Sequence, residues 1–276
     1  MIDVEVIQSV RTITKISKQK KTPDRYNIFL DDIYEFSVSE DILVTFHLRK
    51  GLTLSENDIN EIMDNDSWHR FYTQAIQFLS YRMRSEQEMR VYFHKKEVTP
   101  PIIEGIIAKL KENKYINDSD FANAFVRDRM HQSSKGPVLI AQELTEKGVS
   151  ISIANEAIKQ YSKKKQFEKA FAWAKKQQKR KNRKSYQQQN EQLKVKLAQK
   201  GFDSEVVQAV FQEVKQDMNE QEELAAIAFH ADKLYKRYAK KYTGIELKMK
   251  LKAGLYRRGF QSDLINEYVE KLDDSM

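Results

Sequence analysis

A short pattern recurs four times along the chain and limits what most of it can fold into. Each copy has an apolar residue, a basic residue three positions later, glycine or glutamate, a second apolar residue, and then a helical pattern. The copies are centred on Glu97, Gly148, Gly201 and Gly259, which are 51, 53 and 58 residues apart. Glycine ends a helix at low steric cost because it lacks a Cβ atom. This period predicts stacked three-helix units with a sharp corner between the second and third helices.

Helix signals surround these corners. A small residue precedes a large apolar one in the predicted first helix of each unit, at 75–76, 124–125, 170–171 and 228–229. Ser85 and Glu88 have capping-box spacing, and Gly136-Pro137 suits the start of another second helix. The expected caps of the third helices are Thr99, Ser150, Asp203, and Gln261 or Ser262.

The first 50 residues follow a different pattern, because β-branched and other apolar residues alternate with polar ones at 4–19 and two short apolar runs lie on either side of Asp31-Asp32. This is typical of a hairpin, with the acidic pair in its turn, and Ser55 should then cap a short helix. We therefore predict a mainly α protein: an elongated tandem array of four three-helix, helix-turn-helix-like repeats preceded by a small antiparallel β subdomain. The expected boundaries are 1–66 for the β-rich part and 67–114, 115–164, 165–218 and 219–276 for the repeats.

The residue content argues against several classes of protein. The 276 residues include no cysteine, so disulfides and thiolate metal sites are excluded. The five histidines are scattered, and no nucleophile motif or phosphate-binding glycine loop occurs. Asp118 and Asp120 are better explained as caps of a helix than as a catalytic pair. We expect no catalytic residue, no metal and no cofactor. Without a signal peptide or a long apolar stretch, we also expect a cytoplasmic protein with no membrane contact.

The positive charge is concentrated in one block. The chain has a net charge of +8, but residues 159–186 hold twelve lysines and arginines and only one acidic residue, Glu168. Residues 1–66 hold eight basic residues against thirteen acidic ones. Such a block indicates a polyanionic partner, although lysines can also serve only to solvate a helix face.

Basic residues with aromatic residues between them are the candidate binding residues for DNA or for a protein filament. Phe171 and Trp173 in the block could stack on bases, but at helical spacing such residues are more often in the core. The candidates are Arg82, Arg84, Arg90, Arg127, Arg129, Lys135, Lys163, Lys164, Lys165, Lys175, Lys176, Lys179, Arg180, Lys181, Arg183 and Lys184.

Residues 115–150 resemble the signature of the RecX family, bacterial regulators of the RecA recombinase. The matching positions form a single pattern across more than thirty residues, and the resemblance extends over nearly the whole chain. Two features depart from the family: Glu97 replaces the glycine usual at the first corner, and a fourth unit at about 219–272 lies beyond the three of compact members. The signature positions are Asp118, Phe121, Ala122, Phe125, Val126, Arg129, Gly136, Pro137, Ile140, Glu143, Leu144, Lys147 and Gly148.

The resemblance implies a non-enzymatic, monomeric regulator of DNA recombination, repair and the SOS response. RecX-like proteins bind RecA–DNA filaments, limit filament growth and reduce strand exchange and coprotease activity. The implied partners are the RecA filament and single- and double-stranded DNA. Two alternatives remain open from the residues alone. The units could form a sequence-specific helix-turn-helix DNA-binding regulator, although no row of base-reading side chains repeats between them. They could also form a helical scaffold that binds another protein.

Overall fold

A computed structural model describes residues 10–20, 22, 24–178, 183–214 and 219–273. The chain forms two compact halves, one comprising residues 1–121 and the other residues 122–276. Three consecutive helices make each of the four repeats, at residues 56–112, 118–158, 163–214 and 220–273. The strands are β1 Arg11–Lys18, β2 Arg25–Leu30, β3 Ile33–Ser39 and β4 Thr53–Leu54. The helices are α1 Glu40–Thr45, α2 Glu56–Ser80, α3 Glu86–His94, α4 Pro100–Glu112, α5 Asp118–Gln132, α6 Pro137–Glu146, α7 Ile151–Ile158, α8 Lys163–Gln178, α9 Tyr186–Gln199, α10 Ser204–Val214, α11 Glu220–Tyr238, α12 Gly244–Tyr256 and α13 Ser262–Asp273.

The predicted small antiparallel sheet is confirmed, with strand order β3-β2-β1-β4. Asp31 and Asp32 form the tight turn between β2 and β3, with φ angles of 48° and 64°. Short polar residues tolerate this left-handed backbone, which matches the twist of the flanking strands. Helix α1 and strand β4 were not predicted. Both are short, and β4 is defined by its pairing with β1 across some forty residues, which a local pattern does not reveal.

Helix α2 differs from the sequence expectation. Ser55 caps it as predicted, through a reciprocal capping box with Asp58. The helix, however, runs for 25 residues without a break, so the expected short helix and the first helix of the first repeat are one element. No proline or glycine lies within residues 56–80 to end the helix early. The expected boundary at residue 66 therefore lies inside α2.

Buried Asp66 connects α2 to the sheet. Its carboxylate accepts hydrogen bonds from the Ser39 backbone N–H and from the Arg25 guanidinium, both at 2.8 Å. A carboxylate removed from water must be paired in this way, since an unpaired buried charge is costly.

The predicted corners are confirmed. Gly148, Gly201 and Gly259 have φ angles of 82°, 79° and 78°, and Glu97 adopts the same left-handed conformation with φ 58°. The apolar residue after each corner, such as Phe202 or Phe260, is buried. The glutamate at the first corner therefore changes the residue type but not the backbone geometry.

Asp118 and Asp120 do not cap their own helix. The Asn117 side chain accepts the backbone N–H groups of Ser119 and Asp120 at 2.9 and 3.3 Å, so Asn117 caps α5. The Asp118 carboxylate instead accepts the N–H of Glu86, 2.8 Å away at the start of α3. Asp118 thus satisfies a free N–H group at the end of a different helix.

Backbone contacts join the second-helix start of one repeat to the corner of the next. The Gly136 N–H donates to the Lys200 carbonyl at 2.7 Å, and the Val138 N–H donates to the Gly201 carbonyl at 3.1 Å. At the equivalent junction between the third and fourth repeats, the Ser185 hydroxyl donates to the Arg258 carbonyl at 2.5 Å. The corners therefore also hold neighbouring repeats together.

Candidate nucleic-acid interface

The three arginines predicted around the first corner contact residues of their own repeat. Arg82 donates to the two carboxylate oxygens of Glu88 at 3.0 and 2.9 Å. The Arg84 guanidinium lies 3.9 Å from the centre of the Phe78 ring, and burial lowers the pKa of Arg84. The two bonds to Glu88 occupy N–H groups of Arg82, whereas the Arg84 Nε atom has no hydrogen-bond partner in the described structure.

Arg90 belongs to a small ion-pair network. Its guanidinium pairs with Glu104 and with Glu86, and these two hydrogen bonds raise the pKa of Arg90 above its ordinary value. Lys111 also pairs with Glu86. Burial opposes ionisation of Glu86, but its bonds to Lys111 and Arg90 leave its pKa below the usual range. Two cations and two carboxylates balance, so this group adds no net positive charge to the surface.

The basic residues predicted in the second repeat divide into two groups. Arg129 donates to Glu143 at 2.7 Å, and Lys135 pairs with the other oxygen of that carboxylate. Burial of Glu143 opposes ionisation, yet the bonds from Lys135 and Arg129 lower its pKa. Arg127 lies on the exposed face of α5 and has no ion pair within the part of the chain that the structure describes.

Helix α8 carries the first candidate residues of the basic block, and these lysines also differ in their contacts. Lys163 pairs with Glu205. Lys164, Lys165 and Lys176 are exposed, and none has an ion pair among the described residues. Lys165 and Lys176 are eleven residues apart and therefore lie on one side of the helix. Among the described lysines of α8, these three are exposed and carry no ion pair that a phosphate would have to displace.

The remaining candidates of the block have other surroundings. Arg183 lies 4.0 Å from the centre of the Phe229 ring, and Lys184 donates to Gln192 at 2.7 Å. Lys179, Arg180 and Lys181 lie outside the described residues.

Phe171 and Trp173 are half-buried, so part of each ring packs against the protein and part lies at the surface. Phe171 stacks on Phe167 with ring centres 5.7 Å apart, and the Lys175 ammonium lies 5.3 Å from the Phe171 centre. The Lys200 ammonium lies 5.0 Å from the Trp173 ring. The smaller buried residues Ala170 and Ala174 occupy the inner face of α8 instead.

The first helices of the last three repeats share a feature that we did not predict. In each, the phenylalanine after the small residue is half-buried and carries a cation four residues later, one helical turn away. These phenylalanine–cation pairs combine an aromatic face with a positive charge, as surfaces that bind single-stranded nucleic acid do. The pairs, with the distance from cation to ring centre, are Phe125–Arg129 at 4.6 Å, Phe171–Lys175 at 5.3 Å and Phe229–Lys233 at 4.3 Å. Their spacing is visible in the sequence and would have been a usable signal.

A second basic segment was also missed. Residues 236–258 hold nine lysines and arginines and one acidic residue, Glu246. Several of these cations are engaged: Lys236 pairs with Asp232 at 2.9 Å, and Arg258 donates to the Gly254 carbonyl at 2.8 Å. The charge run in the sequence would have been sufficient to identify this segment.

A surface cleft with a volume of about 860 Å³ lies beside Glu223. Tyr186, Asn190, Glu223 and Phe260 are among its lining residues. Glu223 is only 3% exposed, and its Oε2 atom accepts the Tyr186 N–H at 2.8 Å. Its Oε1 atom and the Asn190 Oδ1 atom lack hydrogen-bond partners in the described structure. Burial raises the pKa of Glu223, although the bond from Tyr186 opposes this.

We expect Glu223→Gln to remove a pH-dependent destabilisation. A carboxyl group whose folded pKa is raised contributes its stability below the unfolded pKa of ~4.3 and loses it as pH rises through the folded value. Glutamine does not titrate, so the free energy of unfolding should shift in favour of the variant as pH rises from about 4 to about 7. Urea titrations at several pH values measure this. The Glu222→Gln variant, which makes the same substitution at a neighbouring exposed position, is the control. Parallel pH curves for Glu223→Gln would contradict the prediction.

Within the described ranges, no group of three or more histidine, aspartate or glutamate side chains is arranged to hold a metal ion. Across those same residues, no helix is both long and apolar enough to cross a bilayer.

The chain matches four family models. The regulatory protein RecX N-terminal domain matches residues 11–55, and the first, second and third RecX three-helix domains match 72–110, 117–158 and 220–269. The resemblance led us to expect that the unit at about 219–272 lies beyond the three of compact members, and this is wrong, because that unit matches the third three-helix domain. Helices α8 to α10 lie between the second and third three-helix matches.

Similar proteins are found along nearly the full length. The chain is 42% identical to regulatory protein RecX of Oceanobacillus iheyensis over 95% of its own length and 98% of the relative's. It is 38% identical to regulatory protein RecX of Bacillus subtilis, with 94% and 98% covered. A crystal structure of regulatory protein RecX aligns over 75% of this chain and all of its own, with 31% identity and a TM-score of 0.63. The crystal structure of RecX from Lactobacillus salivarius aligns over 55% and 99%, with 31% identity and a TM-score of 0.53. The chain belongs to the RecX family of regulatory proteins.

Proposed function

We propose that this protein binds RecA–DNA filaments and inhibits the recombinase and coprotease activities of RecA without catalysing a reaction itself. Membership of a family of regulatory proteins supports the regulatory role. The observation that carries the contact with DNA is the set of exposed lysines on α8, Lys164, Lys165 and Lys176, which have no ion pair in the described structure. Such cations can neutralise phosphates and release counterions without first breaking an internal ion pair.

The repeated phenylalanine–cation pairs support a contact that extends along the chain. The pairs of the last two repeats place Lys175 and Lys233 beside an aromatic ring, whereas the charge of Arg129 in the second repeat is balanced by Glu143. Many weak contacts along a repeating surface suit a repeating target, because linked contacts increase the overall affinity. A filament of RecA on DNA has that repeating form. We also propose a cytoplasmic location, since RecA filaments form on DNA inside the cell. That the protein acts as a monomer is a further part of the proposal.

The proposal predicts that the protein slows RecA. Adding it to RecA, single-stranded DNA and ATP should lower DNA-dependent ATP hydrolysis and filament growth in a dose-dependent way. Fluorescence anisotropy of labelled DNA, with and without RecA, measures binding in parallel. Inhibition at far less than one copy per RecA subunit would indicate that the growing end is blocked, whereas stoichiometric inhibition would indicate binding along the filament.

Other outcomes separate the alternatives. Strong preference for one duplex sequence without any recombinase would favour the helix-turn-helix regulator. Absence of binding to DNA and to filaments, in a folded protein, would favour a scaffold for another partner. Either result would contradict the proposed function.

A further inference from the structure

One face of α12 carries large apolar side chains in solvent. Ile245, Met249 and Tyr256 are 77%, 66% and 66% exposed. They are separated by four and seven residues, so at 100° per residue they form one stripe along the helix. The opposite face, with Leu251 and Leu255, is buried in the core of the fourth repeat. The stripe therefore takes no part in the core that holds its own repeat together.

The stripe lies within a strongly basic segment. Lys248 and Lys252 lie along one edge of it and Glu246 is nearest to the other, but residues 236–258 as a whole hold nine lysines and arginines against that one acidic residue. Exposed apolar side chains rimmed by charge are typical of protein interaction sites. Methionine and tyrosine are enriched at such interfaces, and methionine adapts to irregular surfaces.

We infer that this face of α12, the α12 stripe, docks against an acidic protein surface, and, on the basis of the proposed function, that this surface belongs to RecA in the filament and not to DNA. Isoleucine and methionine gain nothing from phosphates, whereas burying them against apolar side chains of a protein is favourable. The excess of lysine and arginine over residues 236–258 favours acidic residues around that apolar contact. Pairing with the same face of a second copy would place lysines against lysines, which is unfavourable in a two-fold interface.

The test replaces Ile245→Gln and Met249→Gln together, because glutamine keeps a high helix propensity and removes the apolar contact. A matched control replaces Ile151→Gln and Val195→Gln, which are 70% and 52% exposed on other helices. Both variants and the wild type are titrated by anisotropy onto naked single-stranded DNA and onto preformed RecA filaments on the same DNA. Circular dichroism and thermal melting establish that all three are folded.

We expect the stripe variant to bind filaments at least about tenfold more weakly, as for truncation of interface hot spots, with its affinity for naked DNA unchanged. The control should match the wild type on both targets. If the stripe variant bound naked DNA and filaments equally weakly, the inference would be overturned in favour of a contact with DNA. If its binding to filaments were unchanged, the stripe would make no contact with the filament. A concentration-dependent mass in sedimentation that the variant abolishes would assign it to self-association. If the wild type fails to bind filaments at all, the proposed function fails, and the inference fails with it.

Discussion

Gly136→Ala is expected to destabilise the C-terminal half by ~3 kcal/mol or more, although its backbone angles are ordinary. With φ −83° and ψ 176°, any residue fits the local conformation. An added Cβ atom, however, would lie 2.3 Å from the carbonyl carbon and oxygen of Gly201 and 2.4 Å from the Phe202 nitrogen. These are backbone atoms fixed by the hydrogen bonds of the junction, so they cannot move without separating the two repeats.

A matched variant isolates the cost of left-handed backbone. Gly244 has φ +52°, and no atom lies within 4 Å of the position that an added Cβ would take, so Gly244→Ala should cost only ~1 kcal/mol. Gly201→Ala combines both effects, because φ is +79° and the added Cβ would lie 2.7 Å from the Leu139 nitrogen. Chemical denaturation of the three variants measures the difference. If Gly136→Ala cost no more than Gly244→Ala, the start of α6 would not touch the next corner as described.

The sequence pattern predicts the same corner role for Gly201 and Gly259, but the two glycines have different surroundings in the structure. Around Gly259 an added Cβ meets side-chain atoms, the Gln187 Oε1 at 3.0 Å and the Ser185 Oγ at 3.1 Å. Side chains can adjust where backbone cannot, so the junction between the third and fourth repeats should tolerate alanine better. Positive φ is a local property that a repeated motif predicts. How closely two repeats approach each other at a junction depends, in contrast, on residues some sixty positions apart in the sequence.

The same distinction explains which other predictions were correct. Caps such as Ser55 and Ser85 depend on residues three positions apart, and both were confirmed. The role of Asp118 depends on Glu86, 32 residues earlier, and was not foreseen. Whether a lysine is paired depends likewise on acidic residues that are distant in the sequence. Lys163, for example, is paired with Glu205. Composition located the basic block, but only the folded chain separates paired cations from unpaired ones.

Replacement of the unpaired lysines of α8 should have the largest functional effect that we expect. Replacing Lys164→Gln, Lys165→Gln and Lys176→Gln should reduce the slope of log K against log salt by ~2 on single-stranded DNA, because each lost phosphate contact removes ~0.7. The same arithmetic predicts a loss of affinity of roughly tenfold to a hundredfold near physiological salt. The three positions are exposed on α8, so the core residues Ala170 and Ala174 are left intact.

The matched control replaces three paired lysines, Lys159→Gln, Lys163→Gln and Lys236→Gln, which lie beside Glu156, Glu205 and Asp232. It removes the same charge, so any effect of net charge alone appears equally in both variants. Anisotropy titrations between about 50 and 200 mM salt should show a reduced slope only when the unpaired lysines are replaced. A third variant with Lys179→Gln, Arg180→Gln and Lys181→Gln asks whether the block continues the contact, in which case the slope falls again. A direct phosphate contact releases counterions, whereas a distant charge does not. If the first variant and its control had equal slopes of log K against log salt, the α8 lysines would therefore act through overall charge and touch no phosphate.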